Sequence, residues 1–338
     1  MFIETWNKFK TSSKNDLLQR LLRGTVNPWL VKFTSLPDCK LEKSIVIFGG
    51  PRSGTTWLAE ILNTIPKSGL IFEPLYLSKV REARVAGVER HAYLPPGEKW
   101  PAGELFFRKM LDGKVLNSWT TSFMPLKRAV RPNLWVIKMI RANMMLSWML
   151  DKFPSLKPVL IIRHPCSTIL SMRQMGWPPP TRRPHFPKFE STFPHIRSIV
   201  EKLNHPIEYS AAMWCISYYP TLLHTLYNKH IVVSYERLVR EGDKELKRIF
   251  DYLQILQPKE AVDQLRRFSR MTKIDSPIHE TGDPLAKWSE KLSPEEIKMI
   301  LNVVKAFGMD FYDENYEPNY ERLYSQCPIR DSFNNVAI

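Results

Sequence analysis

The chain has 338 residues, 43% of them apolar, enough for one large α/β domain with insertions or for two ordinary domains. Its 49 basic and 34 acidic residues leave a net charge of +15, which favours an anionic small molecule, a nucleic acid or an acidic membrane surface without choosing among them. The composition is that of a globular chain and excludes disorder except at the ends, and no continuous apolar run near the start is long enough for a signal peptide or a membrane span.

Residues 1–40 read as a peripheral helical arm, with Leu17, Leu18, Leu21 and Leu22 on one face and enough Lys and Arg to permit contact with a membrane surface. Residues 41–323 read as one α/β domain, and 324–338 as a loosely held tail. Ser44–Phe48 is a short apolar, β-branched run, the pattern of a buried parallel strand. Similar runs predict strands at Gly69–Phe72, Leu134–Lys138, Pro158–Arg163 and Ile231–Tyr235. Helical patterns fall between them, at Trp57–Leu62, Met144–Phe153 and Glu208–Asn228. Alternation of this kind implies a three-layer fold, a central parallel sheet flanked by helices. Two insertions interrupt it, 77–133 and the proline-rich 177–194, where proline density argues against a regular helix. The four cysteines, Cys39, Cys166, Cys215 and Cys327, show no close pairing, and no N-x-[ST] sequon occurs. Both features point to free thiols and a cytoplasmic setting.

The first strand runs into Gly49-Gly50-Pro51-Arg52-Ser53-Gly54-Thr55-Thr56, and Trp57 continues into a helix. A strand, a glycine-rich turn and a helix N-terminus together make an anion site. Gly49-x4-Gly54 fits the P-loop frame, yet Thr55 stands where triphosphate enzymes place a lysine, and Arg52 supplies the cation instead. That pattern suits a nucleotide whose single 5′-phosphate carries a transferable group. The competing reading is a Gly-Pro turn with ordinary helix capping.

A second cluster follows the fourth strand: Arg163-His164-Pro165-Cys166-Ser167-Thr168-Ile169-Leu170-Ser171. An arginine fork and a serine hydroxyl can converge there on another phosphate. With both clusters in place, the stretch from about Ser44 to Tyr312 resembles the sulfotransferases that use 3′-phosphoadenosine 5′-phosphosulfate (PAPS) and release adenosine 3′,5′-bisphosphate. The resemblance implies a P-loop-containing fold, no metal requirement, and a soluble microbial member acting on a small-molecule or glycan acceptor rather than on nucleic acid. It gives the 5′-phosphosulfate to Arg52, Ser53, Gly54, Thr55, Thr56 and Trp57, and the 3′-phosphate to Arg163 and Ser171. It places Tyr235, in Val233–Leu238, near the adenine. Lys287 and Trp288, in Thr281–Trp288, fall in the segment that folds over the nucleotide, although the Arg-Lys-Gly run of cytosolic members is missing. His164 also departs from the usual Asn or Asp.

Transfer needs alignment, charge stabilisation on the departing phosphate and a base. Arg52 and Lys138 are the candidates for charge stabilisation, Lys138 because it ends a core strand at the sheet edge where ligands bind. Cytosolic members have Lys-Thr-His at this strand, whereas here Ile140 occupies the place of the histidine base. Ile71-Phe72-Glu73-Pro74-Leu75-Tyr76 resembles the Phe-Glu-Pro segment of carbohydrate sulfotransferases, especially the 6-O-sulfating group, which makes Glu73 the candidate base. His91, His164 and His185 are alternatives. In the proline-rich insertion, Arg182, Arg183, His185 and Lys188, with Trp177, Phe186 and Phe189, are candidates to cap the acceptor. A P-loop kinase, a binder of anionic polymers and a nucleotide-binding protein without turnover remain as rivals.

Overall fold

The computed structural model describes residues 44–124, 132–223, 229–267, 283–325 and 328–329. The predicted arm 1–40, the Thr281–Gly282 start of the nucleotide-covering segment and most of the 324–338 tail lie outside them. The first half of the chain runs β1 (Ser44–Gly49), α1 (Thr55–Leu62), β2 (Ser68–Phe72), α2 (Arg81–Val85), α3 (Pro101–Leu111), β3 (Leu134–Met139), α4 (Leu146–Lys152), β4 (Lys157–Ile162) and α5 (Pro165–Gln174). The second runs α6 (Pro187–Thr192), α7 (Pro194–Glu201), α8 (Pro206–Tyr218), β5 (Ile231–Ser234), α9 (Tyr235–Arg240), α10 (Gly242–Leu253), α11 (Lys259–Leu265), α12 (Lys287–Lys291), α13 (Pro294–Ala306) and α14 (Tyr320–Leu323).

The five strands form one sheet in the order β2-β3-β1-β4-β5, every pair parallel. The central strand β1 is buried along its whole length, as its unbroken apolar run requires. Helices cover the sheet and bury their apolar faces in one continuous core with Phe48, Trp135, Trp148 and Phe250. From β1 the chain builds β2 and β3 on one side and then crosses to build β4 and β5 on the other. In open parallel sheets that reversal leaves a crevice outside the carboxyl ends of the strands.

In the proline-rich insertion, 177–186 with Pro178, Pro179, Pro180 and Pro184 is irregular as expected, but its last prolines start helices. Pro187 and Pro194 each occupy the first turn of α6 and α7, where the missing N–H costs nothing and the fixed φ is already helical. The helix predicted over Glu208–Asn228 is shorter, α8 ending at Tyr218 and passing into a 3-10 turn at Tyr219–Thr221. Among the described residues no helix is long and apolar enough to cross a membrane, and Cys166 and Cys215 are free and buried.

Candidate active site

The sheet order turns distant sequence segments into a row. Across the carboxyl edge lie Glu73 after β2, Lys138 near the end of β3, the Gly49–Thr56 turn after β1, Arg163 after β4 and Tyr235 after β5. The register keeps them level, with Phe72 opposite Lys138, Gly49 opposite Ile161 and Ile162 opposite Ser234.

Two glycines are required by the turn. A Cβ on Gly49 would meet Thr55 Cγ2 at 2.6 Å and Ile161 O at 2.8 Å. Gly54 has φ 92°, and its Cβ would meet the Tyr235 ring at 2.6 Å. The first two N–H groups of the turn are already bonded. Gly49 N–H donates to Asn143 Oδ1 at 2.9 Å, and Gly50 N–H donates to the Tyr218 hydroxyl at 2.7 Å, which itself donates to Ile161 O at 3.0 Å. Ser53 also braces the turn, its hydroxyl donating to Gly50 O at 2.7 Å. The N–H groups left to face an anion include those at the start of α1, on Thr55, Thr56 and Trp57, where no side chain caps the helix. Asn143 and Tyr218 were not foreseen from the sequence: Asn143 falls just before the helix expected from Met144, and Tyr218 lies inside the expected Glu208–Asn228 helix, with nothing local to mark either as a brace.

Arg52, Arg163, Ser171 and Tyr235 come together. Arg52 Nε donates to Ser171 Oγ at 3.0 Å, and Arg163 Nη1 donates to Arg52 O at 3.1 Å. The Arg163 guanidinium lies 4.2 Å from the centre of the Tyr235 ring. Tyr235 in turn meets Trp57 edge-on at 5.7 Å. Arg52, expected to face the 5′ end alone, therefore also reaches the serine assigned to the 3′ end. Burial, and then the charge of Arg163, pull the Arg52 guanidinium down to about 10. Two partly buried cations side by side repel, and an anion between them relieves that repulsion. Arg163 Nε, Thr168 Oγ1 and Trp57 Nε1 are buried in this region and find no hydrogen-bond partner among the described residues.

At the other end of the row Glu73 is held from both sides. Lys138 Nζ lies 2.6 Å from its Oε1 and Arg141 Nη1 lies 3.0 Å from its Oε2. Burial pushes the Glu73 carboxyl up, but the two cations outweigh it and hold it below the ordinary carboxylate range. Lys138 also sits over the Phe72 ring, 4.4 Å from its centre, and Arg141 over Tyr76 at 4.8 Å. Arg52, Glu73 and His91 all have positive φ, at 65°, 43° and 53°. Non-glycine residues rarely adopt this conformation, and it concentrates at functional sites.

Of the alternative bases, His164 is excluded by its bonding. Its Nδ1 accepts the Cys166 N–H as the cap of α5, so Nε2 carries the proton and donates to Asp313 O at 2.9 Å. Burial drives its pKa down to about 4. His164 thus performs the capping task that Asn or Asp would. Its ring stacks on Trp288 at 4.4 Å and 10° between planes. Trp288, only 2% exposed and also met edge-on by Tyr316, is packed into the core and presents no open face to a purine. Lys287, at the start of α12, sits beside it on the helix that packs against α5. In the proline-rich insertion the groups nominated for acceptor contact are mostly engaged locally. Phe189 is buried, His185 pairs with Glu190, Lys188 with Glu98, and Arg183 donates to Leu203 O and Asn204. Trp177 stays exposed, and Phe186 faces His91 at 6.4 Å. Among the described residues no cluster of His, Cys, Asp and Glu is placed to hold a metal ion.

The model of the sulfotransferase family matches residues 44–258, which contain the turn, Glu73, Lys138, Arg163, Ser171 and Tyr235. Among curated proteins none matches the chain significantly. Solved structures similar to it include the sulfotransferase domain of the Synechococcus PCC 7002 olefin synthase, 21% identical with a TM-score of 0.44, covering 82% of this chain and 98% of that one. Sulfotransferase STF9 from Mycobacterium avium is 15% identical with a TM-score of 0.42, covering 89% of this chain and 83% of that one. Mouse sulfotransferase SULT7A1, complexed with PAP, is 14% identical with a TM-score of 0.40, covering 84% of this chain and 90% of that one. With the family model spanning well over half of the sequence, from β1 through β5 to the residues just before α11, the chain belongs to the sulfotransferase family.

Proposed function

We propose that this chain moves the sulfuryl group of PAPS onto an acceptor hydroxyl, of a carbohydrate or small metabolite, and releases adenosine 3′,5′-bisphosphate. The observation that carries the reading is the row of strand ends, with two adjacent arginines in one half and a doubly paired carboxylate in the other. In this reading the α1 N-terminus and Arg52 receive the 5′-phosphosulfate, Arg163 and Ser171 the 3′-phosphate, and Tyr235 borders the adenine. Lys287 neutralises the 3′-phosphate from α12. Trp288 has no part in it, because its faces are covered.

The acceptor oxygen attacks sulfur, the bond from sulfur to the bridging phosphate oxygen breaks, and the acceptor proton passes to Glu73. Protonation cancels the charge that holds Lys138 and Arg141, so both cations turn to the phosphate as its negative charge develops. The Phe72-Glu73-Pro74 segment supports a sugar hydroxyl of the 6-O type, and the Tyr76 and Trp119 rings, 4.8 Å apart beside Glu73, suit the flat face of a sugar. A cytoplasmic setting completes the proposal. The double pairing of Glu73 favours one second reading, a nucleotide-binding protein without turnover, since a paired carboxylate is a poor base.

The test is transfer from labelled PAPS, without added metal, to a panel of sugars and small hydroxylated metabolites, beside calorimetric binding of adenosine 3′,5′-bisphosphate. Binding with transfer supports the proposal. Binding without transfer to any member of the panel supports the second reading, and absence of binding overturns both.

A further inference from the structure

Glu236, the residue after Tyr235 in α9, is 1% exposed. Its carboxylate collects donors from three separate parts of the chain. Oε1 accepts the His164 backbone N–H at 2.8 Å. Oε2 accepts the hydroxyls of Ser234, at 2.7 Å, and Tyr312, at 2.9 Å. His164 follows Arg163 at the end of β4, and Ser234 is the last residue of β5. The carboxylate therefore ties two neighbouring strand ends together at the point where Arg163 and Tyr235 leave them. The C-terminal segment closes the brace from outside, through Tyr312 to Glu236 and through Asp313 O to the His164 ring.

A buried carboxylate is costly even when saturated with donors, and an apolar side chain would fill the same space at lower cost. Burial accordingly pushes the Glu236 carboxyl up, against the pull of the His164 N–H and Ser234. What the carboxylate supplies, and an apolar side chain would not, is a fixed distance between the two strand ends. Across that distance the Arg163 guanidinium rests on the Tyr235 ring at 4.2 Å.

We infer that Glu236 is a positioning residue: by welding the ends of β4 and β5 it sets Arg163 against Tyr235 and gives the nucleotide pocket its preference for a 3′-phosphate. The inference rests on the reading in which Arg163 and Ser171 receive that phosphate.

The experiment uses the full chain and two probes, adenosine 3′,5′-bisphosphate and adenosine 5′-monophosphate, titrated calorimetrically against wild type, Glu236→Ala, Glu236→Gln and Tyr312→Phe. Melting temperature is recorded for each. Glu236→Ala leaves the His164 N–H buried without an acceptor, and the preference for the bisphosphate falls by roughly tenfold. Glu236→Gln restores most of the preference, because its oxygen still accepts from His164 and its amide can donate to the Ser234 and Tyr312 hydroxyls. Tyr312→Phe removes one donor at the edge of the brace and lowers the preference by about threefold. A merely structural residue would weaken both probes equally. Equal weakening, or an unchanged preference in the Ala and Phe variants, overturns the positioning role. If Glu236→Ala does not fold, Tyr312→Phe decides alone. A wild type that binds both probes equally overturns the 3′-phosphate reading, and the positioning role with it.

Discussion

The side chains of Arg52 and Ser171, 119 residues apart in the sequence, are joined by a hydrogen bond of 3.0 Å from Nε to Oγ. That bond links the turn after β1 to α5, so the two clusters proposed to bind the nucleotide's phosphates adjoin one another. Arg52→Ala removes a cation from both, and nucleotide affinity falls by about 2 kcal/mol, the scale of a hydrogen bond to a charged group. Arg52→Gly separates binding from folding. It relieves the left-handed backbone at φ 65°, so stability rises by about 1 kcal/mol while affinity falls as in the alanine variant. Calorimetry beside urea denaturation checks both; an Arg52→Gly protein that binds as well as wild type rules Arg52 out of the pocket.

Glu73→Gln leaves affinity for adenosine 3′,5′-bisphosphate unchanged and lowers kcat about 10²- to 10⁴-fold, the usual worth of a positioned base. Because Lys138 and Arg141 lose their counter-charge, the variant is also less stable by about 3 kcal/mol. The folded Glu73 carboxyl lies below its ordinary value of 4.5. Its stabilising contribution is therefore present above that pH and disappears as pH falls through the lower folded value. Denaturation curves recorded from pH 7 downward show this acid-sensitive part in wild type and not in Glu73→Gln. Undiminished transfer by the variant removes Glu73 as base.

His164 titrates at about 4 in the folded chain and ordinarily at 6.5. The unfolded chain thus binds more protons between those values. The stabilisation is complete above 6.5 and is lost as pH falls toward 4, on the order of 3 kcal/mol in all. His164→Asn keeps a helix cap and removes this dependence. Urea midpoints at pH 7 and pH 5 check it: the wild-type value drops more than the variant's, and parallel drops refute the assignment.

Tyr218→Phe leaves the Gly50 N–H without its acceptor and Ile161 O without its donor. The cost is about 1–3 kcal/mol of stability. A looser turn also weakens nucleotide binding, so chemical denaturation and calorimetry should fall together. Loss of stability with intact affinity would mean that Tyr218 supports the sheet but not the turn.

The strands were legible because β1, β3 and β4 are short apolar runs that cannot be buried any other way, and each appears within a residue or two of its expected limits. The turn was legible because two glycines and a serine-threonine helix start carry a local signature. Asn143, Tyr218 and Glu236 were not, since their partners lie 94, 168 and 72 residues away and nothing local marks a polar residue as a brace. Trp288 illustrates the reverse error. An aromatic beside a lysine in the right segment suggested a purine platform, yet its ring completes the stack on His164. The capping task of His164 had a visible signal, a ring nitrogen placed one residue before a proline that opens a helix.

The strand order has an evolutionary consequence. In the proposed reading Arg52, Arg163, Ser171 and Tyr235 hang from β1, β4 and β5, whereas Glu73, Lys138 and the first long insertion belong to β2 and β3. The two sets meet along the ladder between β1 and β3 and through side-chain contacts between the insertions, among them Lys188 with Glu98 and Tyr93 with Phe189. Under the proposed assignment, a chimera that exchanges the stretch from β2 to β3 between relatives keeps Arg52, Arg163, Ser171 and Tyr235, so recombination can change the clientele while most of the grip on the fuel is inherited.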